Sequence, residues 1–382
     1  MSTGATPTLA VGLLGSAFMG QAHSRALYLL RTLEEHPAAL PQLHTICGRN
    51  RERLEGMQRR YGWRQQSTDW RTMVADPEIQ LFVNAATNEL HAEPTIAAMQ
   101  QGKHVLCEKP LARTATEAHA MLAAARQAEV VHMCAFNYRF FPAIRLAWEM
   151  IQAGEIGEPL HFRSRFLLSS GADPESPETA WRLQAQSAGS GVVGDVLAHH
   201  IDLARYLLGE PTSVDALTRT WTPERHGVTV DVDDAVVCTM EFAQGAIGVL
   251  EATRATPGHV LDSGIEIDGT RASLRFAVQR VNELTLSRDG RTSTIEVTAP
   301  EHPFLQMWWP RGHGIGWGDS FVHELRHFLG AAADAWPVAP HGATFEDGYR
   351  CALICDAVLA SAASGTRQPI PQASAGGQEV HS

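Results

Sequence analysis

The stretch Leu9-Ala10-Val11-Gly12-Leu13-Leu14-Gly15-Ser16-Ala17-Phe18-Met19-Gly20 decides the fold. Its first half is a continuous apolar run of the kind that makes a strand buried on both faces, and a helix is expected to follow through about Arg31. Between the two, the glycines stand as in the dinucleotide fingerprint: Gly15 for the tight turn, Gly20 for close packing of helix on strand. Ala17 takes the middle position, where glycine lets backbone approach a pyrophosphate and alanine is the smallest loss. Gly15, Ser16, Ala17, Phe18, Met19 and Gly20 are therefore expected to cradle a dinucleotide.

Outward from this stretch, strands and helices alternate. Leu43–Cys47, Gln80–Ala86, His104–Glu108 and Val130–Phe136 read as further strands, with helices near Arg51–Tyr61, Trp70–Asp76, His91–Gln101 and Thr114–Gln127. This is the pattern of six buried strands in a doubly wound sheet, and it accounts for residues 9–136. The second strand runs into Gly48-Arg49, where an NAD site usually carries an acid for the ribose hydroxyls. Arg49 suits a 2′-phosphate instead, which leans the cofactor, NAD(P)(H), toward NADP. Thr87, Asn88 and His91 lie where strand gives way to helix, facing the crevice. His91 reads equally well as a first-turn residue with no ligand. At Glu108-Lys109-Pro110 the proline ends the ladder and restricts the residue before it. A fixed turn, with a cis bond as a candidate, then delivers Lys109 over the carboxyl edge of the sheet.

Beyond Pro142 the character changes. A helix at Ala143–Ala153 precedes strands at Leu160–Leu168, Val214–Trp221, Ala235–Phe242, Ala246–Arg254, Gly264–Asp268, Ala272–Ala277, Glu283–Arg288 and Ser293–Val297. Their close spacing predicts a mostly antiparallel sheet. Helices are expected at Gly194–Leu208, Ser320–Ala333 and Phe345–Ala363. The domains read as 1–136 for nucleotide, 137–365 for substrate and oligomerisation, and 366–382 as a flexible tail.

Within the inserted helix, Asp195 and His199 stand four residues apart and share a face. With Lys109 at the mouth of a nucleotide fold, they supply what alcohol oxidation requires: a base, a cation for the developing alkoxide, and a carboxylate to orient the base. In isolation, His199 reads as a helix histidine satisfied by Asp195.

The chain resembles the glucose–fructose oxidoreductase, inositol dehydrogenase and rhizopine-catabolism (GFO/IDH/MocA) family, most closely its levoglucosan-dehydrogenase branch. The marks are the Gly15–Gly20 loop with His23, Glu108-Lys109-Pro110, Phe136-Asn137-Tyr138-Arg139 with Pro142, Trp181-Arg182, Gly189-Ser190-Gly191, Asp195 with His199, and Asp231–Asp234. The resemblance implies an α/β fold, a Rossmann sheet followed by an α+β domain with a large open sheet that builds dimers or tetramers. It implies Lys109, Asp195 and His199 as catalytic residues. Glu108, Asn137, Arg139, Trp181 and Arg182 join the cofactor-binding set, and Tyr138 and Arg139 join the substrate set. The departures are Ala17, Thr87 where proline is usual, and Gly48. The activity implied is NAD(P)-dependent oxidation of a secondary hydroxyl on a sugar, anhydrosugar, cyclitol or glycoside. A glycosidase that recycles one bound NAD, and a cofactor-binding sensor, are the alternatives.

His323-Glu324-Leu325-Arg326-His327 is a formal zinc-hydrolase motif. Ala333 cannot serve as the next ligand, but Glu346 lies at a distance where some zincins find a third one, so spacing alone does not exclude the motif. The resemblance implies a closing helix with no such site, so no metal is expected and these residues read as surface or interface groups. Trp308-Trp309 begins a stiff loop that either stacks on a sugar or packs on a neighbouring subunit. The net charge of −11 argues against nucleic acid and anionic membranes as partners. Six scattered cysteines without a CxxC, and no basic leader or membrane-length apolar run, suit a cytoplasmic protein.

Overall fold

The computed structural model describes residues 7–33, 39–171, 180–225 and 227–372. Strand β1 (Thr8–Leu14) is fully buried from Ala10 onward because it lies inside a six-stranded sheet. Its neighbours are β2 (Leu40–Cys47) and β4 (Leu81–Asn84), and both pairings are parallel. Strand β3 (Gln65–Ser67) lies outside β2, and β5 (His104–Glu108) and β6 (His132–Ala135) continue beyond β4. The order β3-β2-β1-β4-β5-β6 reverses direction between β1 and β4, which opens a crevice at their carboxyl ends. β3 is the strand that hydrophobic pattern could not place: Gln65 and Gln66 are exposed at the sheet's edge.

The second sheet has nine strands. They are β7 (Pro159–Leu168), β8 (Pro211–Arg219), β11 (Ala235–Phe242), β12 (Ile247–Thr253), β13 (Leu261–Gly269), β14 (Ser273–Ala277), β15 (Glu283–Arg288), β16 (Arg291–Glu296) and β17 (Gln368–Pro369). A two-stranded hairpin of β9 (Glu224–Arg225) and β10 (Val228–Thr229) stands apart. Every pairing in the large sheet is antiparallel except that of β7 with β12. Alternation along β7 turns Phe162, Ser164 and Phe166 inward and Arg163 and Arg165 to solvent. Helices Pro142–Gln152 and Ala198–Leu208 lie over the inner face, and among the described residues no helix packs on the outer face, where Arg163, Arg165, Leu217 and Val237 stand exposed.

Part of the expected tail is ordered. Gln368 and Pro369 add β17 to the edge of β8, Arg367 reaches Asp215 and Glu241, and Gln372 Nε2 donates to Pro211 O at 2.8 Å. Residues 373–382 lie outside the described residues.

The helix Asp319–Asp334 crosses back to the first sheet and packs on the Phe18–Leu30 helix. Its Phe321, Leu325, Phe328 and Leu329 join one core with Leu13, Leu27 and Leu106. That packing corrects the expectation of a surface motif: His323 and Glu324 are fully buried and His327 half-buried. His323 Nδ1 donates to Phe140 O at 2.9 Å, and its Nε2 accepts from Trp308 Nε1 at 2.7 Å. His327 Nε2 turns to Val338 O at 2.9 Å, so the two imidazoles face different partners. Among the described residues no group of three or more His, Cys, Asp or Glu could hold a metal.

Candidate active site

Gly15 has φ +116°, and a Cβ there would lie 2.2 Å from the Ala85 carbonyl oxygen. A Cβ on Gly20 would lie 2.1 Å from Gly15 O, so both glycines are sterically required. Ala17 is different: its φ of −83° is open to any residue, which is why the fingerprint tolerates alanine here. The helix that follows has no side-chain cap and no acid in its first turn. Its leading N–H groups remain available to an anion, and the loop fits a dinucleotide pyrophosphate.

β5 carries the next part. Glu108 Oε1 meets His23 Nε2 at 2.8 Å, and Glu108 Oε2 accepts from the Lys109 N–H at 3.1 Å. The Lys109–Pro110 bond is cis. His91 Nδ1 donates to Pro110 O at 2.8 Å, and burial pushes its pKa down, so it is a neutral strut under the turn. Asn88 Nδ2 donates to Ala188 O at 2.8 Å, tying the crevice to the glycine-rich lead-in of the other half.

That lead-in is clamped by Asp233, whose carboxylate accepts from Gly191 N at 2.7 Å and Val193 N at 2.9 Å. A widened π-helical turn, Val193–Leu197, then leads into the Ala198–Leu208 helix. On it, Asp195 Oδ1 lies 3.4 Å from Lys109 Nζ, which also donates to the Asp195 carbonyl. Arg182 Nε lies 3.5 Å from the second carboxylate oxygen. Burial would raise the Asp195 pKa, but Lys109 and Arg182 more than offset it and hold the carboxyl below its usual range.

His199 lines the same cleft and has its Nδ1 sealed from solvent without a partner. The expected Asp195–His199 hydrogen bond is not formed. Two cations compete for the carboxylate, and a neutral imidazole is the weaker partner. Burial, and then Lys109 and His200, push the His199 pKa well below the ordinary range.

Family models match both halves of the chain: an oxidoreductase family with an NAD-binding Rossmann fold over residues 9–136, and a GFO/IDH/MocA C-terminal domain over 144–275. A levoglucosan dehydrogenase of Pseudarthrobacter phenanthrenivorans is 41% identical over 96% of this chain and 99% of its own length. The chain belongs to the GFO/IDH/MocA oxidoreductase family.

Two further likenesses define its place there. A myo-inositol 2-dehydrogenase of Thermotoga maritima is 27% identical, covering 90% of this chain and 93% of its own. A solved levoglucosan dehydrogenase in complex with NADH and levoglucosan superposes with a TM-score of 0.91 at 42% identity, covering 96% of this chain and all of that one. This GFO/IDH/MocA member is an NAD-binding oxidoreductase.

Phe18, Met19, Asn88, His91, Glu108, Lys109, Asn137, Tyr138, Trp181, Arg182, Asp195 and His199 all border one cleft. Arg139 does not. It is buried against Asp202, Nε to Oδ2 2.8 Å and Nη2 to Oδ1 2.6 Å, with Asp347 at 3.2 Å. The motif that suggested a ligand contact is a buried ion pair bracing the Asn137–Phe140 turn against the Ala198–Leu208 and Phe345–Ser364 helices. Arg49 and Thr87 also lie outside the cleft: Arg49 is exposed beyond β2, and Thr87 Oγ1 donates to Glu89 at 3.3 Å. A Cβ on Gly48 would lie 2.8 Å from Ser16 Oγ, so a larger residue at that position would have to turn the Ser16 side chain aside.

Sequence reasoning did not single out Trp317, Phe166 or Leu261, which also line the cleft. Trp317 stacks on Phe18 with centroids 5.8 Å and planes 17° apart. The stiff loop thus sends Trp317 to the site. Trp308 is spent on His323, and Trp309 stays exposed. A lone tryptophan among glycines, Gly314 to Gly318, was the available signal.

Proposed function

We propose that this oxidoreductase removes hydride from a secondary CH–OH of an anhydrosugar, sugar or cyclitol. The observation that carries the reading is the convergence of Lys109 from the nucleotide sheet and His199 from the second domain on one cleft beside the Gly15–Gly20 loop. Bound nicotinamide supplies the hydride acceptor. His199, kept neutral by burial and by Lys109, takes the hydroxyl proton. The Lys109 ammonium steadies the alkoxide as it forms. Asp195 aims that ammonium; it does not orient the base. Phe166, Leu168 and Leu261 add apolar surface to the cleft, which suits the carbon face of a ring. The substrates named for the relatives, levoglucosan and myo-inositol, support this class.

Two finer readings accompany it. Arg49 is exposed and makes no ion pair among the described residues, which supports use of NADP alongside NAD. The outer face of the large sheet supports a homodimer or homotetramer, because Leu217, Val237 and Ile247 stand exposed on neighbouring strands. Six unpaired buried cysteines suit a reducing compartment such as the cytoplasm, and none of the described helices is long and apolar enough to cross a membrane.

The test is nicotinamide reduction by the purified protein, with NAD and NADP supplied separately against levoglucosan, myo-inositol and a panel of pyranoses. Turnover with one ring class is expected. Nucleotide binding with no turnover of any polyol, or turnover unchanged in both Lys109→Met and His199→Gln, would overturn the reading.

A further inference from the structure

Asp195 sits on a widened turn, and what fixes that turn lies outside it. The Ala198 N–H reaches back five residues to Val193 O, where a regular helix would reach back four. The carbonyls of this segment also serve partners from elsewhere. Val193 O accepts from Cys355 Sγ at 3.8 Å, Ala198 O from Cys351 Sγ at 3.5 Å, and Asp195 O from the Lys109 ammonium. The turn thus gives Lys109 a backbone acceptor in addition to the Asp195 carboxylate. Relaxing it to a regular helix would shed one residue from the turn. What precedes would then rotate by about 100°, carrying Asp195 off the face that meets Lys109.

The ladder of this segment starts with Asp195 N to Gly191 O at 3.0 Å, which leaves the N–H groups of residues 191–194 without a partner in the helix. Asp233 takes three of them: its carboxylate those of Gly191 and Val193, its carbonyl that of Val192 at 3.1 Å. Ser190 Oγ accepts the fourth, from Gly194, at 2.9 Å. The approach is close, since a Cβ on Gly191 would lie 1.8 Å from Asp233 O. Asp233 is buried just ahead of β11, beside Asp234. The Asp234 carboxylate accepts from Arg254 Nε at 2.9 Å, Arg225 Nη2 at 3.2 Å and Trp221 N at 2.9 Å. We infer that Asp233 is a positioning residue for Lys109. Holding three successive N–H groups from the braced start of β11, it fixes the π-helical turn so that the Asp195 carbonyl and carboxylate both face the ammonium. This rests on the reading of Lys109 as the group that steadies the alkoxide. A displacement of about 1 Å at such a group costs on the order of a hundredfold in rate.

The chain has two lysines, Lys103 and Lys109, so lysine isotope-labelled at Cε gives two side-chain signals, and Lys109→Met assigns them. Lys103 is the control: it is buried, with Nζ donating to Asp76 O and Ile79 O at 2.7 Å each. Asp233→Asn keeps the size of the side chain and loses one acceptor. In the cofactor-free variant the Lys109 Cε should become more mobile by relaxation measurements, while Lys103 stays unchanged. In steady-state NAD reduction with levoglucosan, or with myo-inositol should that ring turn over faster, kcat should fall about tenfold with both KM values within about twofold. In a Lys109→Met background the same substitution should cost less than about twofold, because a group acting through the ammonium has nothing left to act on. Ser190→Ala, the milder change, should follow the same pattern with a smaller loss, and it carries the test where Asp233→Asn does not fold. Wild-type kcat with an unmoved Lys109 signal in both variants would overturn the proposal. So would an equal loss of rate in both backgrounds, which marks general loosening. Wild-type turnover in Lys109→Met is a separate outcome: it removes the reading of Lys109 itself.

Discussion

The Lys109 ammonium reaches from the nucleotide sheet to the Asp195 carboxylate of the second domain, Nζ to Oδ1 3.4 Å, and joins the two halves at the point of chemistry. The pair is partly open, with side chains 13% and 34% exposed, so the cleft can admit a hydroxyl between Lys109 and His199. Lys109→Met should lower kcat by about two orders of magnitude or more, since it removes a cation used mainly as charge develops. Nucleotide affinity, read by fluorescence titration, should change little. A parallel collapse of nucleotide binding would assign Lys109 to the cofactor instead.

Arg139 makes a different kind of pair. Both it and Asp202 are buried, and deleting one partner strands the other charge. Arg139→Leu is expected to cost about 3–5 kcal/mol of stability by denaturant unfolding. Arg139→Lys should recover little of it, because lysine cannot reproduce the two-pronged geometry. A variant of wild-type stability would refute the bracing role.

Asp347 supplies the pH dependence of this network. Burial would raise its pKa, but Arg139 and Arg205, with Thr344, bring it down to about 2. A carboxylate depressed by folding stabilises above its unfolded pKa, and that contribution is lost as pH falls through the folded value. Asp347→Asn should therefore be less stable than wild type at neutral pH. The gap should narrow as pH falls from about 4 toward 2. A gap constant across that window would assign Asp347 to its capping of the Phe345–Ser364 helix alone.

Arg49→Ser should weaken NADP binding about tenfold while leaving NAD binding within about twofold, the size expected for one charge-assisted phosphate contact. Calorimetric titration of both cofactors decides it. Equal affinities before and after the substitution would mean Arg49 is an ordinary solvated charge.

The outer sheet face gives the last prediction. Leu217, Val237 and Ile247 are 62%, 50% and 53% exposed. Val237→Glu with Leu217→Glu should shift the protein to a smaller species in light scattering, because a buried self-complementary face does not tolerate facing acids. A monomeric wild type would remove the premise.

Much of this was legible in the chain. Local rules sufficed where a residue's role depends on its neighbours in sequence. Gly15 and Gly20 marked the nucleotide loop, and β7, β8 and the strands from β11 to β16 announced themselves by alternation and tight turns, whereas the short β9–β10 hairpin did not. Local rules failed where partners come from far away. The Asp195–His199 spacing is right for a contact, yet Lys109 and Arg182 arrive from elsewhere and take the carboxylate. Arg139 stands in a motif bordering the site, but Asp202 and Asp347 draw it inward. The His323–His327 helix looked polar enough for the surface, and nothing within it told that Phe140 and Trp308 would satisfy His323 inside. Glu324, fully buried with both oxygens unpartnered and its pKa pushed well above normal by burial, was equally invisible.

The return of the Asp319–Asp334 helix onto the first sheet also bears on how the protein is made. The nucleotide-binding half is the first to leave the ribosome, but part of its core, Phe321, Leu325, Phe328 and Leu329, is translated about two hundred residues later. At typical synthesis rates that interval is on the order of 10–40 s. During it, the nascent sheet presents the apolar surface around Leu13, Leu27 and Leu106 uncovered. A nascent chain stalled before residue 319 therefore lacks part of that core, and an excised 9–136 fragment is a poor candidate for independent expression.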